Sequence, residues 1–191
     1  MLDAAESLFA NGGPDALTVE AVIERAGTSA GAFYARFGDR DGLLEALHER
    51  FLGRLGDLVG AIVLEGLSQP SLAKALAVAV SGSLDVARKH HDSLVFFVLF
   101  RAADQRLRQQ GIAANLGFAK AFRTIALNHK AEIRHPDPQR AVDVAFRILF
   151  AMLVQQVMFE ARELTGRPMA DRRLAEQLCQ AMLLYLTVPP A

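Results

Sequence analysis

The fold of this chain is decided by residues Thr18–Leu44, which read TVEAVIERAGTSAGAFYARFGDRDGLL. Apolar residues recur at helical spacing after Thr18, which stands where an N-cap belongs, so a short helix with one apolar face is predicted. Gly27 is placed to end that helix, and Ser29 is placed to cap the next one within a few residues. A second helix is predicted over Ala30–Phe37.

The second helix is predicted to have a buried aromatic face and an outer face. Phe33 and Phe37 are four residues apart, so both can pack against the first helix. The residues left toward the outside are Ala30, Gly31, Ala32, Tyr34 and Arg36. Two short helices joined by a three- to four-residue turn that contains Gly have the geometry that lays a second helix into the major groove of DNA.

A wider pattern surrounds these two helices. It consists of Leu2-Asp3-Ala4-Ala5, Leu8-Phe9, Gly13, Leu17-Thr18-Val19, Ile23, Ala26-Gly27, Ser29, Gly31, Phe33-Tyr34, Phe37 and Leu43-Leu44. In this pattern the first fifty residues resemble the DNA-binding domain of the TetR family of bacterial one-component transcriptional regulators. The resemblance implies an all-α fold, with an N-terminal three-helix helix-turn-helix domain over residues 1–50. A helical effector-binding and dimerisation domain would follow over residues 51–191.

The resemblance also implies which residues contact DNA. Thr18, Tyr34, Arg36 and Arg40 stand at positions where the family contacts phosphates, and Ala30, Gly31 and Ala32 stand where it meets base edges. Family members often carry Lys or Gln at the Ala30 position and Thr at the Ala32 position. Small apolar side chains touch thymine methyl groups but donate no hydrogen bonds, so A·T contacts or readout of DNA shape become more important.

Charge is distributed unexpectedly for a protein that binds DNA. Residues Met1–Arg50 carry four basic and nine acidic side chains, a net charge of −5, whereas the whole chain is neutral. The remainder must carry +5, although a DNA-binding domain is expected to favour phosphates. Arg36 and Arg40 could face DNA while the carboxylates face away, or a basic segment that family members carry ahead of the first helix could be absent here. We expect both explanations to hold in part.

Composition indicates an ordered globular protein. Hydrophobic residues make up 52% and charged residues 22% of the chain. The longest wholly apolar runs, Leu94–Phe100 and Ile148–Val154, have seven residues each, which is far short of a membrane span. No charged-then-apolar leader opens the sequence, and the single cysteine, Cys179, fits a reducing compartment as a small core residue. We therefore expect a cytoplasmic protein with no membrane partner.

The chain is predicted to be helical throughout, because no segment shows strand alternation between turn signals. Asp39 is expected to cap a long connecting helix with Leu44, Leu47, Phe51, Leu55, Leu58 and Ile62 on its apolar stripe. The other helices are predicted at about residues 2–10, from Ser71 to 89, 92–107, 112–133, after Pro138 to 164, and 172–187.

The last two long helices are predicted to be apolar on more than one face. A helix that is hydrophobic nearly all round must be buried on two sides. One side of each of the helices Ala141–Leu164 and Arg172–Thr187 can face the domain interior and the other a partner chain. In the resembled family, the final two helices pair with their symmetry mates as a four-helix bundle, so a homodimer is expected. A central helix in a monomer is the alternative.

Aromatic residues are concentrated between Phe96 and Phe159, where eight of the twelve phenylalanines fall. Small-molecule sites are mostly apolar with a few polar groups, so this group predicts an effector cavity. The candidate lining residues are Phe96, Phe100, Arg101, Phe118, Phe122, Phe146, Arg147, Phe150, Gln155 and Phe159. The alternative is a packed core in which the rings touch only one another.

These observations favour a transcriptional regulator. We expect a homodimeric repressor that binds a palindromic operator in double-stranded DNA and is released by a small apolar or amphipathic effector. The alternative is a helical ligand-binding or protein-interaction module that has lost affinity for DNA. An enzyme is not expected, since the sequence contains no phosphate loop, nucleophile elbow or zinc motif, and neither a cofactor nor a metal is expected.

Overall fold

The computed structural model describes residues 1–100, 105–159, 166–167 and 169–189, with only the backbone of residues 98–100. Every regular element in these ranges is helical. The α-helices are α1 (Leu2–Gly12), α2 (Val19–Ala26), α3 (Ala30–Phe37), α4 (Arg40–Leu67), α5 (Leu72–Lys89), α6 (His91–Leu94), α7 (Gln105–Leu127), α8 (Pro138–Met158) and α9 (Asp171–Thr187). Short 3₁₀ turns lie at Pro14–Ala16 and Lys130–Glu132, and a π-helical turn, Val95–Phe100, follows α6.

The local sequence signals set the ends of α2 and α3. The Thr18 hydroxyl accepts a hydrogen bond from the backbone N–H of Ala21 at 3.1 Å, which caps α2. Gly27 ends that helix in the left-handed conformation, with φ 59° and ψ 41°, which glycine adopts at little cost. The Ser29 hydroxyl accepts from the N–H of Ala32 at 3.2 Å and caps α3. The predicted second helix is confirmed at both ends.

The chain folds into two compact units. The first unit comprises Met1–Arg54 and Val95–Ile112, and the second comprises Leu55–Leu94 and Ala113–Ala191. Helices α4 and α7 each contribute residues to both units.

The core of the first unit joins the helix-turn-helix to the start of α4. Val22 of α2 and Phe33 of α3 have no exposed surface, and the same is true of Leu43 and Leu44 of α4. Leu47 and Phe51 continue the buried face as predicted, Leu55 and Ile62 are partly buried, and Leu58 of the predicted stripe is instead 37% exposed. The buried residues recur at the spacing of the helical period, so the residues that α3 buries determine which of its faces is exposed.

The core of the second unit is formed mainly by α5, α8 and α9, which pack against one another. Leu76, Leu149 and Met182, one from each helix, have no exposed surface. The backbone N–H of Leu72 at the start of α5 donates to the Glu132 carboxylate at 2.9 Å. Cys179 of α9 is half-buried, and this burial raises the pKa of its thiol.

Two predicted boundaries in the second half of the chain are wrong. The expected helices 92–107 and 112–133 are replaced by α6, the π-helical turn and α7, which begins at Gln105 and passes through Gly111. A glycine inside a helix costs only about 1 kcal/mol, which is too little to end it. The helix expected to reach residue 164 ends at Met158, since Phe159 has an extended backbone with φ −134° and ψ 144°, and residues 160–164 lie outside the described residues.

Helix α8 is the one helix among the described residues that is long and apolar enough to cross a membrane by length and composition alone. A single helix of this kind is weak evidence for a membrane span, since a core helix of a globular protein meets the same criteria. Ala141, Val142 and Ala145 on one face of α8 have no exposed surface, which is the arrangement of a core helix.

The end of α3 and the start of α4 lie so close together that position 42 requires a glycine. A Cβ atom at this position would lie 1.9 Å from the carbonyl oxygen of Phe37, which is backbone and cannot move aside easily. We expect Gly42→Ala to lower the free energy of unfolding by about 1–3 kcal/mol, the usual cost of overpacking, as measured by denaturant unfolding.

Gly53→Ala is the matched control, because Gly53 lies in the same helix and a Cβ atom there would meet nothing within 4 Å. This control is expected to be neutral or to stabilise the protein by about 0.4–1 kcal/mol. Equal unfolding midpoints for both variants would contradict the close contact at Gly42.

Candidate DNA-binding interface

The outer face of α3 is exposed as the sequence predicts. Ala30, Gly31, Ala32, Tyr34 and Arg36 are all exposed, while Phe33 on the opposite face has no exposed surface. Thr18 at the start of α2 is exposed as well. The structure therefore places six of the seven predicted DNA-binding side chains and backbone positions on the surface of the two predicted helices and their cap.

Aromatic contacts orient Tyr34 and Arg36, the two largest exposed side chains on α3. The Tyr34 ring meets the Phe33 ring edge-on, with centroids 5.5 Å apart. The Arg36 guanidinium lies over the Phe37 ring, with its central carbon 5.4 Å from the ring centroid. Because Phe33 is buried and Phe37 partly so, these contacts limit where the exposed side chains can point.

Arg40, the seventh predicted residue, has a different environment. Its Nε donates to the carbonyl oxygen of Leu17 at 2.7 Å, and one terminal nitrogen donates to the carbonyl oxygen of Pro14 at 3.2 Å. Both carbonyls belong to the segment between α1 and α2. Arg40 is exposed as a whole residue, but two donors of its guanidinium are directed at the protein backbone.

Part of the acidic surplus is neutralised within the first unit. Arg50 of α4 contacts Asp3 of α1 at 2.5 Å and Glu6 at 3.4 Å, and Arg54 also pairs with Glu6. The Arg50 guanidinium lowers the pKa of the Asp3 carboxyl by hydrogen bonding and by its charge. Neither of these carboxylates belongs to the α2–α3 pair, so they do not line the outer face of α3.

The tertiary fold also changes the charge balance of the first unit, named the DNA-binding unit below because it contains the predicted helix-turn-helix. Arg54 and the described part of the segment Val95–Ile112 belong to this unit, and together they add three arginines to the four basic and nine acidic residues of Met1–Arg50. The net charge of the unit is therefore −2 rather than −5. One of the added arginines, Arg106, pairs with Glu45 of α4 at 3.2 Å.

The phenylalanines predicted to line one cavity fall into two separate clusters. The first cluster belongs to the DNA-binding unit, where Phe96 lies 5.3 Å from Phe9 and Phe97 lies 5.6 Å from Phe51, measured between ring centroids. His48 is 4% exposed and its ring lies 4.7 Å from that of Phe97.

His48 also links α4 to the start of α7. Its Nδ1 is 2.8 Å from the Oε1 atom of Gln110, a hydrogen-bond distance. Neither residue was singled out from the sequence. His48 stands four residues after Leu44 and three before Phe51, so its helical spacing could have predicted that it is buried.

The second cluster belongs to the second unit. Phe146 of α8 is its centre, with ring centroids 5.2 Å from Phe118, 5.8 Å from Phe122 and 5.8 Å from Phe150. Beside it, Arg123 of α7 donates two hydrogen bonds to one oxygen of Asp143 of α8, at 3.1 and 2.6 Å. Phe122 is buried, whereas the other three rings are partly exposed.

The remaining predicted lining residues are not part of the second cluster. Arg147, Gln155 and Phe159 are exposed, Phe159 by 45%. The Phe100 side chain and Arg101 lie outside the described residues. The structure therefore brings together Phe118, Phe122, Phe146 and Phe150 and assigns Phe96 to the other unit.

An open hollow of about 620 Å³ lies in the DNA-binding unit at the end of α3. Its lining residues are Phe37, Asp39, Asp41, Gly42, Glu45, Gln105 and Arg106. Three carboxylates and one guanidinium among seven residues make this surface polar, so it does not suit an apolar molecule.

Helices α8 and α9 each keep apolar side chains on the surface of the second unit. Ile148 and Met158 of α8 are 40% and 45% exposed. Leu184 of α9 and Val188 just after it are 53% and 54% exposed. The opposite faces of both helices are buried in the core, so the prediction of two apolar faces is confirmed.

An exposed helix carrying oriented aromatic and basic side chains, held by capped turns, is the arrangement of a helix-turn-helix DNA-binding protein. Residues 1–47 match the family described as "Bacterial regulatory proteins, tetR family". The HTH-type transcriptional regulator BetI of Cronobacter sakazakii is 30% identical over 168 residues, which are 88% of this chain and 80% of that protein. The chain belongs to the TetR family and is a DNA-binding transcriptional regulator.

Solved structures show the same all-α fold. The regulator FadR of Bacillus subtilis, solved in complex with stearoyl-CoA, aligns with a TM-score of 0.67 at 17% identity and covers 95% of each chain. A TetR/AcrR-family regulator of Thermobifida fusca aligns with a TM-score of 0.72 at 14% identity, covering 95% of this chain and 93% of that one. The predicted fold class and the family resemblance are confirmed.

Family membership defines the general behaviour of the protein. TetR-family regulators are transcriptional regulators rather than enzymes. They bind DNA and small-molecule ligands and are dimeric.

Proposed function

We propose that this protein is a dimeric repressor that occupies a palindromic operator in the cytoplasm and leaves it when an apolar or amphipathic effector binds. The exposed outer face of α3 carries the proposal, because Tyr34 and Arg36 are oriented there by buried or half-buried rings. In a dimer, two such helices would enter successive major grooves. Family membership supports this function over a module that has lost DNA affinity.

The contacts with DNA follow from the chemistry of the exposed face. We assign phosphate contacts to Thr18, Tyr34 and Arg36, which offer hydroxyl and guanidinium donors. Ala30, Gly31 and Ala32 would face the base edges, where their small size allows close approach to thymine methyl groups. Specificity would then depend strongly on the shape and deformability of the operator.

The dimer interface is assigned to the exposed apolar faces of α8 and α9. Each helix buries one face in its own unit and leaves Ile148, Met158, Leu184 and neighbouring residues uncovered. A second copy of the chain would cover both faces with the same surface, as a two-fold interface requires.

The effector is assigned to the surroundings of the second phenylalanine cluster. Three of its four rings are partly exposed, and the Arg123–Asp143 pair, which lies on the same two helices α7 and α8, provides polar groups. The stearoyl-CoA bound to the structural neighbour supports a ligand with a long apolar part. We propose residues 1–50 as the DNA-binding domain and residues 51–191 as the effector-binding and dimerisation domain, although Val95–Ile112 belongs to the same compact unit as residues 1–50.

Helix α7 offers a physical route between effector and operator. It carries Phe118 and Phe122 of the second cluster, and it also carries Gln110, which meets the buried His48 of α4. We infer that the effector acts on operator binding through α7, because this helix contributes residues to both units.

A salt titration tests the role of Arg36. We expect Arg36→Ala to weaken binding to operator and random duplex alike and to lower the slope of log Kd against log salt by about one, because one phosphate contact is lost. Fluorescence anisotropy with labelled duplexes gives both quantities. The operator can be a palindromic duplex enriched from a random pool by the wild-type protein.

Arg54→Gln is the matched control for Arg36→Ala. Arg54 is also an exposed arginine of the first unit, but it pairs with Glu6 of α1 rather than lying on α3. Its slope should equal that of the wild type. An unchanged slope for Arg36→Ala would remove Arg36 from the phosphate contacts.

The dimer proposal predicts a mass of about twice the 20.8 kDa chain mass in light scattering at micromolar concentration. We expect Leu184→Glu to shift the mass toward a single chain, because it places a charge in an apolar interface. Leu64→Glu is the control, since Leu64 is 73% exposed on α4 and belongs to neither interface helix. A wild-type mass of one chain would contradict the dimer.

Acyl-CoA esters of increasing chain length test the effector proposal. We expect long-chain esters to weaken operator binding about 5- to 150-fold, the range of allosteric coupling energies of about 1–3 kcal/mol. Phe146→Ala should reduce this response, whereas Ile112→Ala, at an exposed site on α7, should preserve it. A full response from Phe146→Ala would exclude the second cluster, and no response at any chain length would exclude acyl-CoA as the effector.

A further inference from the structure

We propose that Arg40 is a positioning residue of the recognition helix α3 rather than a contact with DNA phosphate. This inference rests on the proposed function of α3 in operator binding and refines it. Arg40 is the first residue of α4, three residues after the end of α3. Its Nε and one terminal nitrogen donate to the carbonyl oxygens of Leu17 and Pro14, at 2.7 and 3.2 Å.

The two carbonyls lie at the entrance to α2. Pro14 begins the 3₁₀ turn, and Leu17 follows its last residue, directly before the Thr18 cap. Leu17 precedes the cap, so its carbonyl lies outside the hydrogen-bond ladder of α2 and needs another donor. The guanidinium of Arg40 supplies that donor in a partly buried position.

The backbone around Arg40 is held independently of its side chain. The Asp39 carboxylate accepts a hydrogen bond from the N–H of Gly42 at 2.8 Å, which caps the start of α4. The approach of Gly42 to the Phe37 carbonyl leaves no space for a Cβ atom. The Arg40 side chain therefore projects from a rigid junction and ties the end of α3 to the start of α2.

This link has a direct consequence for operator recognition. In a helix-turn-helix, one helix crosses the DNA backbone and the other enters the groove, so their relative placement sets which atoms reach the bases. Loss of the Arg40 link would shift α3 relative to α2 while leaving the exposed Arg36 charge in place. The affinity for operator would fall. The affinity for random duplex would stay the same, because it depends on phosphate contacts.

The experiment compares Arg40→Lys and Arg40→Ala with the wild type and with Arg36→Ala, on operator and on random duplex over a range of salt. A lysine keeps the charge but lacks the planar group that donates to two carbonyls at once. We expect both Arg40 variants to bind operator about tenfold more weakly, the effect of losing a charge-assisted hydrogen bond. Their affinity for random duplex and their salt slope should stay at the wild-type values.

Two outcomes would overturn the positioning role. A phosphate contact would lower the affinity of Arg40→Ala for both duplexes and its salt slope by about one, with Arg40→Lys restoring both. A merely structural role would lower the thermal midpoint of both variants but leave both affinities unchanged at temperatures where the protein is folded. Circular dichroism at the assay temperature checks that each variant is folded. If Arg40→Ala does not fold, Arg40→Lys alone tests the positioning role.

Failure of the proposed function has a different signature. Wild-type protein that binds no duplex at low salt would contradict operator binding itself. Wild-type protein that binds operator normally, with Arg40→Lys unchanged on both duplexes, would contradict the Arg40 proposal alone.

Discussion

Burial of Phe33 is the constraint on which the DNA-binding surface depends. The ring has no exposed surface, and burying a side chain of this size contributes about 1.5–3 kcal/mol. In a helix of eight residues, one buried position determines which positions face solvent, because the helical period is 3.6. The centroids of the adjacent Tyr34 and Phe37 rings lie 5.5 and 5.2 Å from that of Phe33. The buried ring therefore limits where the side chains of the outer face can point.

Electrostatics depends on the tertiary fold more than on local sequence in this protein. A window of the first fifty residues has a net charge of −5, but the compact unit that contains them has −2. Arg54 from the continuation of α4 pairs with Glu6, and Arg106 from a segment some sixty residues away in sequence pairs with Glu45. Two of the carboxylates that give residues 1–50 their negative charge are therefore neutralised by arginines that lie outside those fifty residues.

The phenylalanine-rich region shows where sequence reasoning works and where it stops. Helical spacing predicted that the rings would gather, and Phe118, Phe122, Phe146 and Phe150 do so. It could not predict that Phe96 and Phe97 pack instead with Phe9, Phe51 and His48, because that choice depends on which compact unit the π-helical turn joins. Apolar side chains have no directional preference, so composition alone does not select their partners.

The sequence by itself determined the elements whose signals are local. The Thr18 and Ser29 caps, the left-handed Gly27 and the apolar spacing of α2 and α3 act within a few residues, and both helices have the predicted bounds. Only the tertiary structure decided the relations that join distant residues, such as Arg40 with Leu17 and His48 with Gln110. The physical reason is range: a cap depends on three neighbouring residues, whereas a hydrogen bond across 23 or 62 positions depends on how every intervening element packs.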